Sequence, residues 1–485
     1  MEYNSDEHEA LPDMPVSPSG HYFNSSVLSF CIVAVLESEV PLDDFPAMAW
    51  LKDVFLPINT RFSSIMVEDE KGVKKWKKVE VKLEDHIYVP TIPTGMSPEF
   101  YDDYFNDYLS KVSLDRLPQN IPLWEFHVLK YPTSNAAGNL IFKLHHALGD
   151  GYSLMGAILS CFQRAENPSL PLTFPSRESS TRKDERNNGI FWRLGRVFSS
   201  VGNTVSDLGS TFIKGNIFQD ARTRIRSGED GAEFRPSVVT TLTFSLDRVK
   251  EIKTKLGVTI NDVITGVIFL GTRLYMQQSS SPNDDDHQQQ GNPNADATAL
   301  MVVNTRAIGG GYKTIEEMVK PNSKMPWGNH FIFMNVSMPK LDCNNQVDSN
   351  PLRFVKETHW NIKRKRNSAA VYLTGWMLEI LRKFRGPEAA ARYFYNTMKN
   401  SSLAMSNLIG PVEQMAVANH PIKGLYFTFV GSPESLAITI LSYVDKLRIT
   451  TRMEKDFIDP QKFNSCIENA FEMIFEAAVQ NEEKR

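Results

Sequence analysis

The chain has 485 residues, of which 41% are apolar and 23% are charged, and this balance excludes a largely disordered or fibrous protein. A single hydrophobic core stops growing at about 250–300 residues, so the length predicts two domains. The net charge of -4 excludes a general attraction to nucleic acid, but it leaves room for a local basic patch on a membrane-facing surface.

The N-terminal residues and the cysteines indicate a reducing, cytosol-facing environment. Residues 1–9 are acidic, whereas a secretory signal begins with basic residues and an apolar run. No run reaches the roughly 18 apolar residues of a membrane-spanning helix, and the best one, residues 27–36, has the length of a strand. The cysteines lack disulfide or zinc-site spacing, so we expect buried thiols and no metal site. They are Cys31, Cys161, Cys343 and Cys466.

The N-terminal part mixes predicted strands with predicted helices. Residues 25–36 and 79–90 are rich in Val, Ile and Leu with partial alternation, whereas residues 43–55 and 97–112 carry apolar side chains at helical spacing. Ser97, followed by a proline, suits the N-cap of the second helix. Strands and helices of these lengths predict α/β layers.

The next segment carries the strongest local signal. Residues 139–144 predict a buried strand, and residues 151–165 predict a helix, because apolar side chains recur there every four residues. The sequence HHALGDG, residues 145–151, therefore forms the turn between a strand and a helix. Loops held on such a scaffold often carry catalytic groups.

A polar and charged run at residues 176–188 predicts a linker between two domains. We place the N-terminal domain at residues 1–178, the linker region at residues 179–235 and the C-terminal domain at residues 236–485. Within the linker region, residues 189–216 carry apolar side chains at steps of three or four beside Arg and Lys. This pattern fits either a segment in a membrane interface or a helix docked between the domains.

The C-terminal domain again mixes strands and helices. Residues 277–298 are rich in Ser, Asp, Gln, Asn and Pro, which predicts a solvated loop, and Asp247 suits the N-cap of a helix. Strands are predicted at residues 237–246, 299–304 and 331–336, and helices at residues 247–256, 261–276, 351–366, 387–400 and 460–480.

The double histidine is the first candidate for chemistry. Imidazole has a pKa near neutrality, so it can accept a proton from an alcohol and return it to a leaving group, which acyl transfer to a hydroxyl requires. His146 is the candidate base, and His145 and Asp150 support it through hydrogen bonds or an ion pair. Gly149 and Gly151 are expected to let the backbone turn tightly. A purely structural histidine pair is the alternative.

These residues resemble the HHxxxDG signature of the CoA-dependent acyltransferase superfamily. That superfamily includes chloramphenicol acetyltransferases, plant BAHD-type acyltransferases, peptide-synthetase condensation domains and wax ester synthases. The resemblance implies that His146 is the base, that Asp150 is largely structural and that His145 is a supporting residue. BAHD-type enzymes typically carry a DFGWG element near the C-terminus, which this sequence lacks.

Three further motifs narrow the resemblance. PLWE at residues 122–125, TINDV at residues 259–263 and SNLIGP at residues 406–411 are similar to elements of the wax ester synthase/diacylglycerol acyltransferase family. VSP at residues 16–18, RFSS at residues 61–64 and DHI at residues 85–87 resemble its plant members. The similarity covers nearly the whole chain and is more specific than the histidine motif alone.

Each secondary motif also has an ordinary structural interpretation. Trp124 either shapes the site or is a core tryptophan at the start of a strand. Asn261 and Asp262 either shape the site or cap the following helix. Asn407 either borders the channel or belongs to a turn. Weaker candidates are residues 304–306, where Arg306 meets a CoA phosphate or a surface acid, and residues 327–329.

The resemblance implies an α/β fold of two similar-sized domains like those of chloramphenicol acetyltransferase, with mixed sheets and an active-site tunnel at their interface. It implies transfer from acyl-CoA, a co-substrate, to a long-chain alcohol or diacylglycerol, without a cofactor or an acyl-enzyme. An acyltransferase for a soluble alcohol or amine, and a non-catalytic lipid-binding relative, remain alternatives. The expected location is the cytosolic face of the endoplasmic reticulum membrane, with the cell membrane or cytoplasm as alternatives. The expected product class includes plant cuticular wax, and no nucleic acid partner is expected.

Overall fold

The computed structural model describes residues 14–70, 73–173, 219–278, 292–305, 327–342, 350–366 and 370–480. Several sequence-based predictions lie outside these residues. They are the linker at residues 176–188, the amphipathic segment at residues 189–216, most of the polar loop at residues 277–298, Cys343 and Arg306.

The described strands form three sheets. In chain order the strands are β1 (Met14–Pro15), β2 (Cys31–Ser38), β3 (Ser64–Glu68), β4 (Lys74–Lys78), β5 (Ile87–Tyr88), β6 (Trp124–Leu129), β7 (Gly138–His145), β8 (Gln163–Arg164), β9 (Ser237–Ser245), β10 (Thr298–Asn304), β11 (Phe331–Ser337), β12 (Leu403–Ile409), β13 (Met415–Val417), β14 (His420–Val430), β15 (Leu436–Tyr443) and β16 (Lys446–Glu454). β1, β4 and β3 form a small sheet of their own.

The described helices lie around the two large sheets. In chain order they are α1 (Pro18–Phe23), α2 (Ala47–Trp50), α3 (Pro98–Leu114), α4 (Gly151–Ser160), α5 (Leu246–Leu256), α6 (Ile260–Gln278), α7 (Leu352–Arg366), α8 (Ala370–Arg385), α9 (Pro387–Lys399) and α10 (Pro460–Gln480). Among these residues no single helix is long and apolar enough to cross a membrane, while α5 and α6 pass that test only as a pair bent by 100°.

The N-terminal sheet takes two of its strands from the C-terminal half of the chain. Its order is β5-β6-β7-β2-β14-β13-β8, and β14 pairs with β2 along the full length of β2. All eight residues of β2 and of β7 are buried, as expected for strands covered on both faces. The two sequence-defined domains are therefore joined by strand pairing. The predicted C-terminal domain, residues 236–485, contributes two strands to the sheet of the N-terminal domain.

The C-terminal sheet has the order β11-β10-β12-β15-β16-β9. β12 is parallel to both of its neighbours, whereas the other pairs are antiparallel, so this sheet is mixed as predicted. β11 is an edge strand, and the residues just before it, 327–330, lead from this sheet towards the histidine loop. This position makes the start of β11 part of the site.

Most helices begin and end close to their predicted bounds. Ser97 caps α3, because its Oγ accepts a hydrogen bond from the Phe100 N–H at 3.3 Å. α4 stops at Ser160, earlier than predicted, because residues 163–164 pair with β13 instead of continuing the helix. α5 begins at Leu246, so Asp247 lies in its first turn and is not the N-cap.

Two further local predictions are wrong. Residues 79–90 contain only the short strand β5, because Leu83 reaches the core from a 3-10 turn at Leu83–Asp85. Asn407 lies in β12 and not in a turn, and the chain leaves that strand only at Gly410. The N-terminal helix α1, the helix α8 and the strands from β12 to β16 had no counterpart among the predicted elements.

The buried apolar residues form one cluster in each domain and a third between the sheets. This third cluster, called here the interdomain apolar cluster, combines residues from both ends of the chain. Its members are Phe23, Leu28, Phe30, Leu300, Leu378, Ala390, Ala391, Tyr393, Phe394, Met398, Ala404, Phe429 and Ala437, with Phe331 and Phe333 packed against them. The described cysteines, Cys31, Cys161 and Cys466, are free and buried as predicted.

Candidate active site

The double histidine lies at the predicted junction of strand and helix. His145 is the last residue of β7, and residues 146–150 form the turn that leads into α4. The His146 N–H donates a hydrogen bond to the Phe30 carbonyl at 2.9 Å, and the Leu148 N–H donates to the His145 carbonyl at 3.0 Å. These bonds fix the turn on both sides of His146.

The imidazole of His146 lies among three phenylalanine rings. Its centroid is 4.9 Å from that of Phe23, 4.3 Å from that of Phe30 and 5.2 Å from that of Phe331. Only 6% of the residue is exposed. Burial lowers the pKa of His146 to about 4, against smaller raising effects of nearby polar groups. The ring is therefore neutral at pH 7, which is the form that a general base requires.

Asn329 brings a polar side chain of the C-terminal domain to His146. Its Nδ2 donates a hydrogen bond to the backbone carbonyl of His146 at 2.8 Å. The His146 Nδ1 and the Asn329 Oδ1 are both buried and have no hydrogen-bond partner of normal geometry within the described part of the chain. The Asn329 side chain still lies close enough to favour the protonated ring, since it acts to raise the pKa of His146. The Asn329 side chain therefore binds the main chain of His146 and also raises the pKa of the His146 ring.

His145 has both ring nitrogens engaged. The Ala147 N–H donates to its Nδ1 at 3.1 Å, so Nδ1 is an acceptor and the ring proton lies on Nε2. Nε2 then donates to the Ser29 Oγ at 3.0 Å. Burial lowers the pKa of His145 to about 3, so this ring is also neutral. These contacts suit a residue that holds the turn in place.

Asp150 connects the histidine loop, α4 and the start of β11. Its Oδ1 accepts a hydrogen bond from the Ser153 N–H at 2.9 Å and so caps α4. Its Oδ2 accepts from the His330 N–H at 2.8 Å, and the Asp150 N–H donates to the Gly328 carbonyl at 3.3 Å. The carboxylate thus binds backbone groups of both domains, which suits a structural role.

Gly149 lies where a side chain would be crowded. A Cβ on Gly149 would lie 3.0 Å from the Cβ of Ser153 and 3.5 Å from the Nε1 of Trp327. The same Trp327 Nε1 donates to the Leu148 carbonyl at 2.9 Å, so a side chain at position 149 would disturb this contact. Neither Gly149 nor Gly151 has a positive φ, so the expected tight turn does not use the left-handed conformation that favours glycine.

Trp124 is a core residue of the N-terminal domain. It is fully buried, its Nε1 donates to the Phe62 carbonyl at 2.9 Å, and its ring stacks on His86 with centroids 4.1 Å apart. His86 is held in turn by the Trp124 carbonyl, which lies 2.8 Å from its Nδ1. These contacts favour the strand-start interpretation over a role in shaping the site.

Asn261 and Asn407 meet each other near the protein surface. The Asn407 Nδ2 donates to the Asn261 Oδ1 at 3.0 Å, and Asn407 is exposed. The next residue, Leu408, approaches the start of α4, since a Cβ on Gly151 would lie 3.5 Å from its Cδ1. β12 therefore passes close to the histidine loop, with Leu408 on the side that faces it.

Asp262 closes a capping box at the start of α6. Its Oδ2 accepts from the Thr259 N–H at 2.9 Å and from the Thr259 Oγ1 at 2.8 Å, while Thr259 Oγ1 accepts from the Asp262 N–H at 3.2 Å. The His359 Nδ1 donates to the same carboxylate oxygen at 2.8 Å. This arrangement favours helix capping as the role of Asp262.

The residues that enclose His146 were not identified from the sequence. Phe23, Phe30 and Phe331 have no motif that distinguishes them from other core phenylalanines. Asn329 belonged to one of the weakest motifs, although residues 327–330 each form a hydrogen bond with the histidine loop. A surface cleft lined by Ser29 and its neighbours lies next to His145, and His146 is not among its lining residues.

Comparison with solved structures defines the class of the fold. The wax ester synthase/diacylglycerol acyltransferase from Marinobacter aquaeolei VT8 superposes with a TM-score of 0.58 at 15% identity, covering 96% of this chain and 100% of that one. The TRI3 trichothecene 15-O-acetyltransferase from Fusarium sporotrichioides gives a TM-score of 0.53 at 12% identity, covering 95% of each chain. The fold is therefore the two-domain α/β fold of acyltransferases related to chloramphenicol acetyltransferase.

Sequence comparison then identifies the family. The wax ester synthase/diacylglycerol acyltransferase catalytic domain matches residues 60–264, and the WS/DGAT C-terminal domain matches residues 327–475. Wax ester synthase/diacylglycerol acyltransferase 4 of Arabidopsis thaliana is 29% identical, covering 98% of this chain and 92% of its own length, and number 11 is 26% identical, covering 97% and 96%. The chain belongs to the wax ester synthase/diacylglycerol acyltransferase family and is an acyltransferase.

Proposed function

We propose that this chain transfers a fatty acyl group from acyl-CoA to the hydroxyl of a long-chain alcohol, of diacylglycerol, or of both. The observation that carries the proposal is the position of His146, a neutral imidazole at the edge of the interdomain apolar cluster. An apolar region beside a base suits alkyl chains, because burying them removes apolar surface from water. The family membership supports the same substrates.

In the proposed mechanism, His146 accepts the hydroxyl proton while the oxygen attacks the thioester carbonyl. The tetrahedral intermediate then collapses and expels the CoA thiolate, which takes the proton from His146. Nδ1 is the ring nitrogen nearer the main chain of His146 and is buried there, so Nε2 is the nitrogen that can meet a substrate. We therefore assign proton transfer to Nε2. The reaction uses acyl-CoA as a co-substrate and needs no cofactor and no acyl-enzyme.

The surrounding contacts assign supporting roles to the other residues of the loop. His145 holds the turn through Ser29 and Ala147, and Asp150 holds the loop against the segment before β11. Asn329 positions His146, because it binds the His146 carbonyl and influences the ring. A base fixed in this way reaches the productive geometry without reorganisation.

The acceptor is tested by offering several hydroxyl compounds in parallel. Purified protein is incubated with labelled palmitoyl-CoA and either hexadecanol, diacylglycerol or small alcohols, and the products are resolved by chromatography. The proposal predicts ester from hexadecanol, diacylglycerol or both, at rates well above those for small alcohols. Faster ester formation with a small alcohol would instead indicate a soluble acceptor. If no acceptor gave an ester, a non-catalytic lipid-binding role would be favoured.

We also propose that the chain works at the cytosolic face of the endoplasmic reticulum membrane and supplies wax esters such as those of plant cuticle. Both proposals rest on the lipid nature of the acceptor, which partitions into membranes. The amphipathic pattern at residues 189–216 is a sequence-based candidate for membrane contact. Cell fractionation of a variant lacking residues 189–216 tests whether this segment contacts the membrane. If the shortened protein still sediments with membranes, the membrane contact lies elsewhere in the chain.

A further inference from the structure

The chain is acidic overall, but one stretch of its C-terminal domain is strongly basic. Residues 352–385 contain nine Lys and Arg but only two Glu, whereas the net charge of the whole chain is -4. Three of these basic residues lie in the last turn of α8, around Phe384. Phe384 is 75% exposed, the highest value for a large apolar side chain within the described residues. An exposed aromatic ring among cations is therefore the most pronounced apolar feature of this surface.

The turns of α8 before Phe384 pack against the interdomain apolar cluster beside the catalytic loop. Leu378 is a buried member of the interdomain apolar cluster, and Met377 and Leu381 pack against that cluster. Earlier in α8, Gly375 faces β11, since a Cβ there would lie 4.0 Å from the Cγ2 of Ile332. The same helix thus has one face in the cluster beside His146 and one end in solvent.

Aromatic contacts lead from the interdomain apolar cluster to the base. Tyr22 in α1 packs against the same interdomain apolar cluster as Met377 and Leu381 of α8. The Tyr22 ring lies 4.7 Å from that of Phe23, and the Phe23 ring lies 4.9 Å from that of His146. The cluster against which α8 packs therefore reaches the proposed base through Phe23.

We propose that the C-terminal end of α8 docks on an anionic lipid bilayer, and that the lipid acceptor enters towards His146 through the interdomain apolar cluster behind it. The proposal rests on the proposed function for the nature of the acceptor. Phe384 inserts among the acyl chains, while Lys383 and Arg385 meet the anionic headgroups. An anionic bilayer is the occupant that fits, because its acyl chains accommodate the exposed ring and its headgroups complement the cations.

α7 carries another exposed aromatic residue, and its packing distinguishes it from α8. Trp360 is 65% exposed, and the Lys363 Nζ lies 5.3 Å from the centre of its ring. The buried face of α7, including Phe354 and Val355, belongs to the core of the C-terminal domain and not to the interdomain apolar cluster. Within the described residues, the buried face of α7 therefore does not reach the cluster beside His146.

The docking surface is tested by flotation of the full chain with phosphatidylcholine vesicles that contain or lack phosphatidylserine. The variants are Phe384→Ser and Lys383→Glu. The matched control is Phe234→Ser, since Phe234 is 60% exposed but follows the acidic residues Glu229, Asp230 and Glu233. We expect Lys383→Glu to weaken binding to the anionic vesicles by at least about fivefold. Phe384→Ser should weaken it by about tenfold, while the control binds like the wild type.

Several outcomes would overturn the assignment to α8. These are unchanged binding of both α8 variants, an equal loss in Phe234→Ser, or a loss in Trp360→Ser without one in Phe384→Ser. A second copy of the chain as the occupant would appear as a dimer in sedimentation that Phe384→Ser dissociates, without vesicle binding. Circular dichroism melting checks that each variant folds, as expected for exposed positions.

An activity assay separates failure of this inference from failure of the proposed function. Transfer from palmitoyl-CoA is measured with hexadecanol dispersed in detergent and with hexadecanol in anionic vesicles. We expect the α8 variants to match the wild type in detergent and to lose activity only with vesicles. If the wild type transferred no acyl group to hexadecanol either in detergent or in vesicles, the proposed function would be contradicted. The vesicle-binding result would still test the α8 surface independently. Equal losses in both forms would contradict an entry role for α8.

Discussion

The Asn329 Nδ2 donates a 2.8 Å hydrogen bond to the backbone carbonyl of His146, across 183 positions of sequence. Asn329 lies just before β11 in the C-terminal sheet, and His146 lies just after β7 in the N-terminal sheet. The bond therefore ties the main chain of the proposed base to the second domain. Loss of this tie should change the chemistry more than it changes substrate binding.

Asn329→Ala should lower kcat by about 10- to 100-fold, because a small displacement of a catalytic group costs about this much, while the KM for palmitoyl-CoA changes little. Steady-state kinetics measure both constants. Asn407→Ala is the matched control, since it removes an exposed amide whose described hydrogen bond is with Asn261. A raised KM with unchanged kcat in Asn329→Ala would contradict the positioning role.

Ser29→Ala should lower the free energy of unfolding by about 1–3 kcal/mol, because the buried Nε2–H of His145 loses its acceptor. Urea unfolding measures the change. Ser26→Ala is the control: its hydroxyl bonds to Glu388 at the surface, so its loss should cost less than about 0.5 kcal/mol. Equal losses in the two variants would show that the hydrogen bond between Ser29 and His145 adds no more to the free energy of unfolding than a surface hydrogen bond does.

Asp150→Ala and Asp150→Ser separate the two functions of this carboxylate. Ser can replace the cap of α4 but is too short to reach the His330 N–H, so the Ala variant should be less stable than the Ser variant by about 1 kcal/mol. Both should be less stable than the wild type in urea unfolding. If the Ser variant were no more stable than the Ala variant, the cap would not be a significant contribution of Asp150.

Trp124→Phe should lower stability by about 1 kcal/mol through loss of the hydrogen bond to Phe62, and it should leave kcat and both KM values unchanged. Urea unfolding and steady-state kinetics give the two readings. A large change in the KM for either substrate would place Trp124 in the site after all.

The pH dependence of stability follows from the two buried histidines. Burial lowers the pKa of His145 to about 3 and that of His146 to about 4, whereas the unfolded chain has values near 6.5. Between these values the unfolded chain binds more protons, so the free energy of unfolding falls as pH falls, with a slope that rises towards about 1.4 kcal/mol per pH unit for each histidine near pH 5. Urea unfolding from pH 7 to pH 5 measures the slope. His145→Gln should make the slope shallower, and an unchanged slope would contradict the neutral buried state of His145.

The parts of the fold that the sequence predicts are those with a local signal. β7 is rich in apolar residues and α3 begins with a capping serine and a proline. The HHALGDG loop lies between β7 and the apolar helix α4. The contacts around His146 have no local signal. Asn329 is distant in sequence, and the phenylalanine rings look like any core residues until β11 and α1 are brought together.

The same limit explains why the secondary motifs were ambiguous. Asp262 fits both a site motif and a helix cap, and only its hydrogen bonds with Thr259 and His359 distinguish the two. β14 could not be assigned to the N-terminal sheet, because its pairing with β2 joins residues almost 400 positions apart. Strand pairing at such distances depends on the whole packed structure.

The central claim is that His146 is the base of an acyl-CoA-dependent acyltransferase. The most direct test is the rate of labelled acyl transfer from palmitoyl-CoA by His146→Ala, with the fold checked by circular dichroism and urea unfolding. A folded variant should lose activity by about 10²- to 10⁴-fold, the usual contribution of a general base. Transfer at the wild-type rate by the folded variant would contradict the account.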